Sequence, residues 1–150
     1  MNYNPLFTFV VILAIFITLQ SCEKDNETKI SSYNSSESHK NGENCMSCHT
    51  SGSSGEGWFI VAGTIYNENL SSTYPNATVK LFSDTLVVDL VATIEVDNLG
   101  NFYTTQNIDF ENGLYVSVVG ANTNNKMLGK ITSGQCNSCH GVTTDRIWTK

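Results

Sequence analysis

The sequence predicts a mainly β protein: a small antiparallel sandwich flanked by two C-x-x-C-H segments. Three observations predict it. Between Trp58 and Thr132 apolar residues alternate with period two or cluster as aromatic and β-branched runs. Turn signals such as Asn98-Leu99-Gly100-Asn101 separate those runs. Residues 58–132 carry no helical apolar stripe.

The runs justify their elements in order. Trp58 to Tyr66 is aromatic and β-branched and opens the sheet region. In Ala77-Thr78-Val79-Lys80-Leu81 the alternation puts Ala77, Val79 and Leu81 on one face. From Leu90 to Asp97 the inward set is Leu90, Ala92, Ile94 and Val96. Phe102 to Thr105 resumes a strand after the turn, Leu114 to Val119 gives another, and Met127 to Thr132 gives a last candidate. Five to seven short strands joined by turns indicate an antiparallel sandwich.

This middle segment resembles the carboxypeptidase regulatory-like, transthyretin-type sandwich family, which is Ig-like in architecture. The matching residues are Val61-Ala62-Gly63-Thr64-Ile65, Pro75 to Leu81, Val96 to Phe102 and Gly113 to Val118. They follow the family's order G-x-[IV], A-x-V-x-L, D-x-x-G-x-[FY] and G-x-Y-x-[VL]. The resemblance implies a binding or spacer module and brings no catalytic residues.

The chain before the sandwich divides into three parts. Leu6 to Leu19 is an apolar run broken only by Thr8 and Thr18. Its length suits a signal-peptide core better than a membrane span, although no Lys or Arg precedes it. The run ends in Leu19-Gln20-Ser21-Cys22, which resembles a bacterial lipoprotein signal. The resemblance implies a leader over 1–21, diacylglycerol on Cys22, and a membrane-anchored exported protein, expected at the outer membrane. A plain secretory signal and a single-span anchor are the alternatives. Residues 22–44 are polar, with Ile30 and Tyr33 the substantially apolar members, and read as a flexible tether spanning about 25 Å. Its opening Glu23-Lys24-Asp25 resembles the charged tract that follows the lipid cysteine in surface-exported bacterial lipoproteins, which leaves the exposed face as an expectation. Residues 45–57 hold the first C-x-x-C-H and a Gly/Ser connector, 58–132 the sandwich, and 133–150 the second C-x-x-C-H and a tail.

The five cysteines fit one scheme. Cys22 takes the lipid, and the other four form Cys45-Met46-Ser47-Cys48-His49 and Cys136-Asn137-Ser138-Cys139-His140. Two thiols at this spacing match the two vinyl groups of a haem, and the adjacent histidine lies under the iron. The expected cofactors are therefore two haem c groups, with His49 and His140 as proximal ligands. Two other readings use the same residues. One is a zinc site of Cys45, Cys48, Cys136 and Cys139, which leaves both histidines unexplained. The other is a pair of local disulfides or a thioredoxin-like redox pair, for which no βαβ unit is present.

Few residues remain for the distal positions. Beyond the proximal pair the chain has His39, Met1, Met46 and Met127. Met1 leaves with the leader, and Met46 lies inside its own attachment loop. His39, ten residues before His49, and Met127, thirteen before His140, are the distal candidates. Arg146 and Trp148 are candidates to pair with a propionate and to cover a haem edge.

All of the net charge of −6 lies in residues 22–150, which argues against nucleic acid and against an electrostatic hold on anionic lipid. An acidic surface suits basic redox partner proteins. Three function classes follow: an electron carrier, favoured by covalent haems on a small tethered scaffold; a haem enzyme, for which no distal His, Glu and Arg constellation stands out; and a surface binding module. The residues leave oligomeric state open.

Overall fold

The computed structural model describes residues 26–150. The expected leader and Cys22 lie outside the described residues. Among the described residues nine short strands run in chain order: β1 Val61–Thr64, β2 Tyr66–Asn67, β3 Thr78–Phe82, β4 Leu90–Glu95, β5 Asn101–Thr104, β6 Tyr115–Val119, β7 Asn124–Lys126, β8 Gly134–Gln135 and β9 Trp148–Thr149. The described helical pieces are two three-residue 3-10 turns, Cys45–Ser47 and Cys136–Ser138. No helix among the described residues is long and apolar enough to cross a membrane.

The mainly β sandwich is as expected. One sheet has the order β4-β3-β6-β7 and is antiparallel throughout. A second has the order β5-β1-β8, and β2 pairs with β9 alongside. The core between them is built from Val61, Ile65 and Phe102 of one layer and Val79, Leu81, Ile94 and Val118 of the other. The period-two reading of Ala77, Val79 and Leu81 holds, since all three are buried. Gly100 closes the turn before β5 with φ of 85°, a backbone state that glycine adopts without strain.

Four expectations differ from the structure. Leu90 points outward at 53% exposure, while Ile94 and Val96 are buried as expected. A register shift between Leu81 and Phe82 marks the end where Leu90 pairs, and an irregularity there breaks the alternation. Met127 to Thr132 forms no strand; β7 ends at Lys126, and Ile131 makes a single bridge to Leu114. The sandwich does not end at 132, because β8 and β9 add in parallel to β1 and β2.

The fourth difference is the stretch expected as a tether. Residues 30–44 form a strap on the sandwich. The Ser31 amide donates to Tyr103 O at 2.9 Å, and the Ser31 hydroxyl donates to Glu95 O. Asn34 N–H donates to Asn76 Oδ1 at 2.9 Å, and Asn98 N–H to Ser35 O at 2.8 Å. The strap runs along β5, where Ile30 bridges to Thr104, and reaches β1 where Gly42 N–H donates to Thr64 Oγ1 at 2.9 Å. All four residues of β1, which lies between β5 and β8, are buried.

Candidate haem-attachment sites

The two C-x-x-C-H segments fold into matching turns. In each, the Cys at the first position accepts two backbone bonds: from Cys48 and His49 N–H to Cys45 O at 3.2 and 3.0 Å, and from Cys139 and His140 N–H to Cys136 O at 3.3 and 3.0 Å. The serine at the third position ties the turn to its entry residue. Ser47 Oγ donates to Asn44 O at 2.8 Å, and Ser138 Oγ donates to Gln135 O at 2.6 Å. Asn44 caps the first turn by accepting from Met46 N–H at 3.2 Å. The second turn has no side-chain cap.

Each histidine is held in the same way. His49 Nδ1 donates to Glu56 O at 2.9 Å, and His140 Nδ1 donates to Asp145 O at 2.7 Å. An imidazole that gives its Nδ1 proton to a backbone carbonyl presents an unprotonated Nε2, the form a metal takes. The Gly/Ser connector supplies the first of these carbonyls. It folds back so that Gly55 N–H donates to Cys48 O at 2.9 Å and Phe59 N–H to His49 O at 3.0 Å. The Phe59 ring then stacks on His49 with centroids 4.2 Å apart and planes 6° apart.

A cavity opens at each turn. The one at His49 has a volume of about 480 Å³ and is lined by His39, Cys45, Cys48, Phe59 and Tyr103 among others. The one at His140 has a volume of about 960 Å³ and is lined by Val116, Met127, Ile131, Cys139 and Trp148 among others. Both volumes are those of a cofactor pocket. His39 is exposed and faces His49 with ring centroids 5.9 Å apart. Met127, 41% exposed, lines the cavity of His140. Arg146 also lines it, but its Nη1 donates to Leu70 O at 2.7 Å and its guanidinium lies 4.4 Å over the Tyr66 ring. Trp148 combines lining with its place in β9.

The four thiols of the two turns are unpaired. Among the described residues no three His, Cys, Asp or Glu side chains converge as a metal-binding group. Burial pushes the Cys136 thiol up to about 12, with the nearby Cys45 adding to the shift. Burial also raises Cys45, against an opposing backbone hydrogen bond.

The structure adds residues to which the C-x-x-C-H spacing was blind. Asn137, an unspecified position in the motif, is buried. Its amide ties the second turn to β1 and to the end of the strap: Nδ2 donates to Thr64 Oγ1 and to Glu43 O, both at 3.0 Å, and Oδ1 accepts from Thr64 N–H at 3.2 Å. β8 stops at Gln135, and the Asn137 side chain continues its hydrogen bonding to β1. The shared serine at the third position was visible in sequence as C-x-S-C-H in both copies.

Paired thiols with an adjacent imidazole whose Nδ1 faces a backbone carbonyl, beside a cofactor-sized cavity, suit covalent haem attachment. Residues 14–71 match the family described as cytochrome c554 and c-prime. The matched stretch covers less than half of the chain, includes the first C-x-x-C-H, and supports a c-type cytochrome with haem c as cofactor. The second motif lies beyond it. No curated protein and no solved structure matches the chain.

Proposed function

We propose that the protein is an exported, lipid-anchored dihaem c-type cytochrome that carries electrons at or outside the cell envelope. The observation that carries the dihaem reading is the repetition: two turns with the same backbone bonds, the same serine contact and the same histidine-to-carbonyl bond. Cys45 and Cys48 would hold one haem by thioethers, with His49 as an iron ligand; Cys136, Cys139 and His140 would hold the other. Each bound haem supplies a one-electron iron couple. The chain's residues orient and enclose it. The Glu56 and Asp145 carbonyls fix the imidazoles, and Phe59 restrains the His49 ring. His39 is the distal ligand at the first site and Met127 at the second, which makes the two haems inequivalent. The scaffold is read as a carboxypeptidase regulatory-like spacer, on the order of its motifs.

The leader-like run and Leu19-Gln20-Ser21-Cys22 support export and lipid anchoring at Cys22. The net charge of −6 supports a basic redox partner. One observation favours a second reading at the His140 site, a ligand-binding or peroxidase-like haem protein with an open iron. That cavity has about twice the volume of the other and holds a single histidine.

The mass of the mature protein tests the central reading. It equals the chain from Cys22 plus lipid plus two haems, and the haem survives acidic organic extraction. Changing Cys136 and Cys139 together to Ala leaves one haem. A mature chain carrying zinc and no haem refutes the proposal.

A further inference from the structure

The hairpin between β3 and β4 ends in an apolar tip that the core does not use. Leu86, Val88, Leu90 and Val91 are 76%, 72%, 53% and 45% exposed. Apolar surface gathered in this way marks contact with a membrane or a protein. The tip is held in shape by its own polar groups. Asp84 Oδ2 accepts from Leu86 N–H, and Asp84 Oδ1 accepts from Val88 and Asp89 N–H, each at 2.9 Å. Ser83 N–H donates to Asp89 O at 3.0 Å across the neck. Val87 sits at φ of 56°, a left-handed state that is strained for a β-branched residue. The strain is kept in a turn that presents Leu86 and Val88 to solvent.

The place where the chain enters the sandwich selects between the two kinds of contact. β4 runs from the tip at Leu90 to Glu95, residues 96–100 turn, and β5 runs back from Asn101 to Thr104. Asp97 N–H donates to Asn101 O at 2.8 Å and closes that turn. The tip and the C-terminal end of β5 therefore share the end of the sandwich opposite the 96–100 turn. The first described residues are fastened at the tip's end. Thr105 N–H donates to Lys29 O at 3.0 Å, and Lys29 N–H to Thr105 Oγ1 at 2.9 Å. Trp58 N–H, just before β1, donates to Asn26 Oδ1 at 2.7 Å. Cys22 lies four residues before Asn26, a span of at most about 14 Å. A lipid on Cys22 thus leaves the sandwich little room to stand off the surface.

We propose that the tip over 86–91 seats in the lipid surface to which Cys22 is anchored, so that lipid and tip together hold the sandwich in one orientation. The inference rests on the lipid-anchored reading above. The lipid supplies the hold, and the tip supplies the orientation, since a few apolar side chains bind a membrane weakly by themselves. The surface it fits is uncharged or zwitterionic. Asp84 and Asp89 are the charged residues of the tip, and no Lys or Arg lies between Leu81 and Thr93 to meet an anionic headgroup. The 96–100 turn then faces away from the membrane.

The test reconstitutes the lipidated, haem-loaded protein into phosphatidylcholine vesicles whose acyl chains carry a diazirine. Mass first establishes the lipid on Cys22. After illumination, peptide mapping is expected to find lipid adducts within residues 84–91 and none within 96–100. Leu86→Asp/Val88→Asp changes two exposed positions and is expected to lose the adducts at the tip while staying with the vesicles. A wild-type tip free of adducts in a chain whose lipid is confirmed, or adducts spread equally over both turns, overturns the proposal and leaves anchoring intact. A mature chain without lipid overturns the anchored reading and the inference with it. Cys22→Ser protein that dimerises in vesicle-free solution, and that Leu86→Asp/Val88→Asp returns to monomer, assigns the tip to a second copy and overturns the seat in lipid.

Discussion

His39→Ala offers the most direct reading of the first site. Two imidazole nitrogens on opposite sides of one metal, each at the about 2.0 Å usual for first-row metals, place ring centroids about 6 Å apart once the ring radii are added. The His39 and His49 centroids are 5.9 Å apart. This spacing exists because the strap is fixed: Asn101 Nδ2 reaches back to Ser38 Oγ and Asn41 Oδ1 on either side of His39. A ligand on such a short loop acts at an effective concentration of about millimolar or more. His39→Ala is therefore expected to change the spectrum and midpoint potential of the haem at His49, leave the haem at His140 unchanged, and be reversed by free imidazole at about millimolar concentrations or above. Met127→Ala is expected to act on the other haem alone. Visible spectra and potentiometric titration of both variants measure this. Unchanged spectra and potentials in His39→Ala refute the ligand role, and the first iron is then open or ligated by another molecule.

Other outcomes follow from burial and sequence. In the haem-free chain, alkylation is expected to reach the exposed Cys48 and Cys139 first and Cys136 last, because burial pushes that thiol up to about 12. The buried site favours the protonated thiol, so Cys136 adds full stability below the ordinary thiol value of about 8.5 and loses it as pH rises towards about 12; peptide mapping and alkaline unfolding curves read the two effects. Ile94→Asp is expected to destabilise the fold by about 3 kcal/mol or more, since Ile94 is 1% exposed and its neighbours offer an aspartate no partner; denaturant unfolding measures it. Cys22→Ser is expected to shift the protein from the membrane fraction to the soluble one, or leave it unprocessed, which fractionation and mass detect.

The parts legible in the sequence were those whose cause is local. C-x-x-C-H specifies its own turn, and the period of Ala77, Val79 and Leu81 specifies a face. The strap over 30–44 was illegible because its partners are remote. Ser31 bonds to Glu95, 64 residues away, and Asn34 to Asn76, 42 residues away. Short polar side chains that would mark a solvated coil instead satisfy strand ends and turns. Leu90 misled because alternation assumes an unbroken ladder, which fails at the Leu81/Phe82 shift. The role of Asn137 needed the tertiary structure, since nothing in its neighbours names Thr64 or Glu43 as partners.

β8 and β9 bear on the order of events as the chain is made. β1 gains its second neighbour, and β2 its partner, from residues that follow nearly everything else. A strand pair spanning such a separation closes late. Until it closes, Asn137 holds nothing and Cys136 stands clear of Gly63. The interval before closure is when an attachment enzyme can reach both pairs of thiols on an open chain. Once β8 docks, Cys136 is half-buried and lies against Gly63 of β1. On the dihaem reading, attachment at the second C-x-x-C-H is expected to precede or accompany the docking of β8.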